Sequence, residues 1–292
     1  MENQQPKPDI TCIQVREDLH IVRKKSEDGA SQIIVCHQDP TLSRIYKLDL
    51  GRKQGSTEWD WDRCGMYTAS DVAGLLGLNK YTSEAQIWHK KLGLPDPKAK
   101  GKQTTSSRYG GTWMMERGSY YEHIAASLYA QQYGVDIYHY DLCVHPDIPW
   151  LGASPDGVTA DGTLIEIKVP ATRTIQQGVV APYIFPQIQT TLEVLDLEKA
   201  HLVEFVPTTH NDGAVVVTEV VRDRSWWKLW YPVLALSYSE FRPKFEERKE
   251  ELKKLVAARR PRELMLKGVS TCMTAYVERK MGANKKMDLS VG

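Results

Sequence analysis

The spacing of hydrophobic and polar positions changes several times along this 292-residue chain, and each change marks an element. Residues 1–55 hold two short β-like stretches, around Ile10 to Val15 and Gln32 to Val35, with polar connections. Ser70 is placed to cap a short helix from Asp71 to Leu76, and Ser83 with Gln86 forms a capping box for a helix ending before Gly93. The run from Lys98 to Gly111, rich in Lys, Ser, Thr and Gly, predicts a mobile loop. Tyr121, Ile124 or Ala125, and Leu128 recur at helical spacing and predict a long helix from about Met114 to Tyr133, stopped by Gly134.

Tyr138, Tyr140, Leu142 and Val144 then alternate with more polar neighbours, which is the period of a strand. A hairpin follows, its arms at about Leu151 to Thr159 and Thr163 to Val169. They join through Asp161 and Gly162, a dipeptide that takes the positive φ angles of a tight turn. Pro182 to Leu195 reads as a helix, and Ala200 to Val206 and Ala214 to Val221 as two strands linked through Asn211, Asp212 and Gly213. The remainder is helical to near its end, first aromatic at Trp226, Trp227 and Trp230, then strongly charged. This order predicts an α/β (α+β) fold with a central mixed sheet flanked by helices. It divides into an accessory N-terminal region over residues 1–55, a core over 56–240 and a basic helical C-terminal region over 241–292.

Composition narrows the class. With 41% hydrophobic and 26% charged residues the chain sits near the averages of soluble globular proteins, and neither a fibrous nor a wholly disordered chain is suggested. No apolar run approaches the length of a bilayer span, and Met1 to Pro8 lacks the basic and apolar parts of a secretion signal. An intracellular location with no membrane partner is therefore expected. The five cysteines are odd in number, scattered and without a Cys-x-x-Cys pair, as for reduced thiols. Cys12, His20, Cys36 and His37 match no familiar zinc spacing. The net charge of +1 conceals an asymmetry, because residues 242–292 carry 14 Lys and Arg against 7 Asp and Glu, leaving −6 upstream. An acidic body suits a cation and a basic end suits a polyanion, although a solvated helix accounts for that end equally well.

The candidate chemistry lies in Ser154-Pro155-Asp156-Gly157 and, nine residues on, Glu166-Ile167-Lys168. Residues two apart on a strand share a face, so Glu166 and Lys168 project together while Ile165, Ile167 and Val169 enter the core. The turn at Asp161 and Gly162 brings Asp156 toward Glu166. Two close carboxylates repel unless a cation lies between them, and their hard oxygens suit Mg²⁺, with Mn²⁺ as a substitute. Such an ion supplies Lewis acidity for phosphodiester hydrolysis, and Lys168 is placed to orient water or stabilise a developing oxyanion. Taken singly, each piece has an ordinary reading, since Pro-Asp-Gly is common turn chemistry and Glu-x-Lys is common on exposed strands.

Four blocks over roughly residues 59–235 resemble the YqaJ-type viral recombinases of the lambda exonuclease family, within the PD-(D/E)XK nuclease superfamily. They are Trp59-x-x-x-Arg63-x-Gly65-x-x-Thr68-Ala69-Ser70-Asp71, Arg117-Gly118-Ser119-Tyr120-Tyr121-Glu122, the Asp156 and Glu166-x-Lys168 pair, and Gln187-Ile188-Gln189. The resemblance implies a restriction-endonuclease-like core. It implies that Glu122, rather than the nearby Glu116, completes a metal site with Asp156 and Glu166, that Lys168 and Gln187 serve catalysis, and that Arg63, Ser70 and Ser154 hold a 5′-terminal phosphate. Val169 stands where relatives often have cysteine, a change in packing.

The resemblance further implies a Mg²⁺-dependent 5′→3′ exonuclease acting on double-stranded DNA ends and leaving 3′ single-stranded overhangs for recombination by strand annealing. Expected partners are DNA, a single-strand annealing protein and copies of the chain itself, as in a trimer. The expected compartment is the bacterial cytoplasm for a phage protein, and the host nucleus or cytoplasm for a eukaryotic virus. Two other readings use the same residues: a structure-selective or restriction-type endonuclease, and a catalytically silent DNA-binding scaffold.

Overall fold

A computed structural model describes residues 10–16, 19–25, 31–37, 39–52, 54–98, 105–170, 173–207 and 213–258, with backbone alone for 10–37, 105–117 and 119. Strands β1 (Ile10–Arg16), β2 (Leu19–Lys25) and β3 (Ser31–His37) form an antiparallel sheet in that order. The middle strand is not among the expected ones. Its apolar alternation is cut short by Arg23, Lys24 and Lys25, and pairing along both edges defines it. The side chains of Cys12, His20, Cys36 and His37 lie outside the described set.

Helix α1 (Pro40–Leu48) starts from Asp39, whose carboxylate accepts from the backbone of Thr41 at 2.7 Å and Leu42 at 3.1 Å. It places Leu42 and Ile45 in the main core. Helix α2 (Thr57–Gly65) is capped by Ser56. Strand β4 (Tyr67–Thr68) leads into α3 (Ala69–Leu75), where Thr68 is the cap and Ser70, the expected one, stands inside the helix. Asp71 decides this: its Oδ2 accepts from Thr68 N at 2.9 Å and from Thr68 Oγ1 at 2.7 Å, closing the box two residues earlier. Helix α4 (Glu84–Lys91) has the expected box, Ser83 N donating to Gln86 Oε1 at 3.1 Å.

Helix α5 (Thr105–Tyr133) begins nine residues before the expected start, so residues 105–111 are helical rather than loop. Residues 99–104 lie outside the described set. Gly110 and Gly111 argue for a loop by propensity but stand within the long helix, which Gly134 ends at φ 65°. The single strand expected at Tyr138 to Val144 is two, β5 (Ile137–Tyr138) and β6 (Cys143–Val144), in different sheets. Between them, Asp141 N donates to Asp49 Oδ2 and pins the chain to the end of α1.

The first hairpin arm is likewise divided, into β7 (Leu151–Ala153) and β8 (Gly157–Thr159), and β8 turns through Gly162, at φ 78°, into β9 (Thr163–Lys168). After α6 (Phe185–Leu195) come β10 (Lys199–Pro207), β11 (Gly213–Val221) and α7 (Arg224–Ala257). The larger sheet runs β11-β10-β9-β8-β5, with β9 and β10 parallel and the other pairs antiparallel. A smaller sheet runs β4-β7-β6. Residues 259–292, most of the basic end, lie outside the described set.

Strand β9 is buried on both faces. Ile165 and Ile167, with Val203 and Phe205 of β10, pack under Tyr121, Ala125 and Tyr129 of α5. Leu164, Ala200 and Leu202 face the other way, into a core with Ile188 and Leu192 of α6 and Leu234, Phe241 and Phe245 of α7. Every even-numbered residue of β9 thus points to the α6 side, and that side turns polar at Glu166 and Lys168. Among the described residues no helix is long and apolar enough to cross a membrane.

One buried ion pair ties the helices that carry the first sequence block. Lys91 Nζ lies 2.9 Å from Asp71 Oδ2 and donates to the carbonyls of Arg63 at 2.8 Å and Met66 at 2.7 Å. Burial alone raises the Asp71 carboxyl, but Lys91 and then Arg63 outweigh it and hold that carboxyl at about 2. Lys91→Met is expected to strand the buried carboxylate and cost about 3–5 kcal/mol in urea unfolding. Because Asp71 sits below its ordinary value, the wild type keeps this contribution above about pH 4 and loses it as pH falls toward 2. Phe241, fully buried against Tyr67, Trp88, Tyr238 and Phe245, offers a second test. Phe241→Ala is expected to cost about 3–5 kcal/mol through the cavity it leaves, and a loss under about 1 kcal/mol contradicts this packing.

Candidate active site

The site lies where β8 and β9 leave their turn and the α6 face of the sheet becomes polar. Asp156 precedes β8 and is fixed by the opposing strand, because Ile167 N donates to its Oδ2 at 2.6 Å. Glu166, 1% exposed, accepts at one oxygen from two donors: Lys168 Nζ and Gln187 Nε2, each 2.5 Å from Oε1. Its other oxygen, Oε2, is buried and takes no hydrogen bond. Glu122 on α5 reaches the same place from across the sheet and lies within hydrogen-bonding reach of Asp156. The structure thus brings together Glu122, Asp156, Glu166, Lys168 and Gln187, residues far apart in sequence.

Their protonation reflects that crowding. Burial raises Asp156 first, Glu122 raises it further, and with Lys168 and the Ile167 amide opposing, the carboxyl stands at about 7. Glu166 also stands at about 7, raised by burial and by Asp156 against the pull of Lys168. Glu122 is raised too, by burial and then by Glu166 despite Lys168. Burial lowers Lys168, but the three carboxylates together reverse that and raise it. One ammonium is shared among three acids, an arrangement short of positive charge.

A hard divalent cation matches that deficit. The donors are all oxygens, and Glu166 Oε2 is a buried acceptor with no partner. As placed, no three His, Cys, Asp or Glu side chains among the described residues form a ready cage.

The three residues expected to hold a phosphate form a second cluster, joined by Trp59. Trp59 Nε1 donates to Ser154 Oγ at 3.3 Å, and the Arg63 guanidinium lies 4.2 Å over the Trp59 ring. Arg63 also donates to Ser70 Oγ at 3.1 Å. Ser154 and Asp156 flank the break between β7 and β8, so one short link connects this cluster to the acids. The sequence reading did not assign Trp59 its connecting role. It also passed over His139, whose Nδ1 donates to the Asp156 carbonyl at 2.9 Å. Trp59 opens the first block and offered a signal, whereas nothing in the sequence separates His139 from a solvent-facing histidine.

Known proteins resemble this chain in sequence and in fold. A crystal structure of an alkaline exonuclease (LHK-Exo) from Laribacter hongkongensis is 26% identical, covers 68% of this chain and all of that one, and gives a TM-score of 0.51. A crystal structure of LHK-Exo in complex with dAMP gives 0.46 at 26% identity, covering 68% of this chain and 96% of that one. An uncharacterized protein, R354, of Acanthamoeba polyphaga mimivirus is 25% identical over an alignment of 212 positions that covers 62% of this chain and 37% of that protein. The chain thus spans little more than a third of that relative. The 0.51 likeness bears out the restriction-endonuclease-like fold and its mixed sheet flanked by helices. Residues 58–198 match the model of the YqaJ-like viral recombinase domain.

Proposed function

We propose that this protein is a DNA exonuclease dependent on Mg²⁺, or on Mn²⁺ in its place, that degrades one strand of duplex DNA from its 5′ ends and leaves 3′ single-stranded overhangs. The observation that carries the reading is Glu166 Oε2, a buried acceptor without a donor amid three carboxyls and one ammonium. The likeness to an alkaline exonuclease and the YqaJ-like match support it. In this reading Glu122, Asp156 and Glu166 hold the cation, which supplies Lewis acidity and lowers the pKa of water at the phosphate.

The protein's own groups then divide the work. Gln187 fixes the rotamer of Glu166, and the Ile167 amide fixes that of Asp156. Lys168, partly exposed, orients the attacking water or donates to charge building on the phosphate oxygens. Arg63 offers a planar fork to a terminal phosphate, with Ser70 and Ser154 adding hydroxyl donors, so that a 5′ end is gripped beside the acids. A single-strand annealing protein and further copies of the chain complete the proposed setting.

End-labelled linear duplex with Mg²⁺ tests the activity. Degradation from 5′-phosphate ends is expected, slower from 5′-hydroxyl ends, and Glu166→Gln and Lys168→Gln are expected to slow it on the order of 10³-fold. Efficient cutting of a covalently closed circle replaces this reading with an endonuclease, and a Glu166→Gln rate equal to wild type removes catalysis from this site.

The raised acids give a separate expectation. Asp156 and Glu166, at about 7 in the folded state against ordinary values of 3.8 and 4.5, keep protons that the unfolded chain releases. In EDTA their contribution to stability is therefore present below about pH 4 and falls as pH rises toward 7. Mg²⁺ is expected to raise the melting temperature more at about pH 8 than at about pH 5, and Asp156→Asn to shrink that difference. Equal stabilisation by Mg²⁺ at both values contradicts the assignment of these acids as its ligands.

A further inference from the structure

One buried charge on the same side of the sheet has no part in the site as described. In the parallel pairing of β9 and β10, Glu204 stands opposite Lys168 and Leu202 opposite Glu166. Partners in register share a face, so Glu204 belongs to the α6 side, at the end where that side turns polar. It is flanked by Val203 and Phe205, which enter the opposite core, and is 0% exposed. Neither Glu204 oxygen accepts a hydrogen bond, and its ion-pair partner among the described residues is Arg173. A wholly buried carboxylate is costly, and truncating its partner leaves an uncompensated charge. A stretch that packs a β-sheet core has no need of one here.

Arg173 explains its placement. It follows β9 by five residues in sequence, yet its guanidinium meets a strand that follows α6, so Glu204 draws the chain after Lys168 back over the polar end of the sheet. The Arg173 side chain stays 23% exposed while Glu204 is closed off. One side of the cation is thus held by a residue that pairs in register with Lys168, and the rest faces outward. A DNA strand approaching the acids of the site brings its own phosphates and needs a fixed positive group there.

We propose that Glu204 is a positioning residue: it holds Arg173 as a phosphate-contacting cation beside Lys168, so that the strand entering the site is gripped by a guanidinium fixed from within the sheet. This deepens the nuclease reading and rests on it for the identity of the polyanion. The pair forms a binding group rather than a reacting one, so losing it weakens the ground state and the transition state alike.

The test compares the full-length wild type with Glu204→Gln, Arg173→Gln and the double variant. Binding to duplex is read by anisotropy in EDTA, and cleavage kinetics are read with Mg²⁺. Each single variant is expected to weaken binding and raise KM by about tenfold, the worth of one charge-assisted contact, with kcat within about twofold of wild type. The double variant is expected to match the singles rather than multiply them, and Arg173→Gln to lower the salt slope of binding by about one. Wild-type binding by Glu204→Gln, or effects that multiply in the double variant, overturn the proposal. Should Glu204→Gln fail to fold, Arg173→Gln decides alone, and unchanged affinity and salt slope reject the role. A wild type that binds duplex but never cleaves it sinks the nuclease reading instead, while the binding arm still reports on Glu204.

Discussion

Three carboxyl groups that repel one another, held under cover with a single ammonium among them, are the constraint on which this part of the molecule turns. In water Glu122, Asp156 and Glu166 would separate. Here the Ile167 amide, the Gln187 side chain and the closing of α5 over the sheet deny them that freedom. Their confinement gives the molecule a standing demand for positive charge, which the described residues meet with Lys168 alone at the acids and with Arg173 at Glu204. The packing that imposes this is ordinary. Isoleucines at 165 and 167 and valine at 203 anchor one face of the strands, and what is forced together on the other face follows from alternation.

Much of this was legible in sequence because it rests on short-range rules. The helix stop at Gly134, the turn at Gly162 and the Ser83 box each depend on a few adjacent residues, and each is found where those residues place it. The same locality explains the misses. Thr68 displaced Ser70 as a cap through Asp71, a competition that either serine or threonine wins by a small margin. The run from Tyr138 to Val144 alternates as one strand should, yet its halves join different sheets because Asp141 is fastened to Asp49 from another part of the chain.

The candidate site divides in the same way. Asp156, Glu166 and Lys168 were recoverable from a turn and a two-residue spacing, since one hairpin sets their geometry. Glu122 and Gln187 needed the resemblance, because nothing within their helices separates them from solvent-facing neighbours. Trp59 as a bridge between Ser154 and Arg63 was out of reach, since it depends on how α2 lies against the link between β7 and β8. Glu204 did carry a signal, a lone acid in an apolar stretch, but which side it faces depends on a parallel pairing that no local pattern fixes.

The break between β7 and β8 carries a consequence for how such a site can change. Ser154 directly follows one sheet's strand and Asp156 directly precedes another's, with Pro155 alone between them. A tether of one rigid residue transmits displacement in full, so Ser154 and Asp156 travel together as a single body. Insertions in surface loops can reshape the rim freely, but adding one residue here would slide a strand in its sheet and turn its buried side outward. The distance between Ser154 and Asp156 is therefore a dimension that two sheets guard jointly, and variation is confined to what surrounds it.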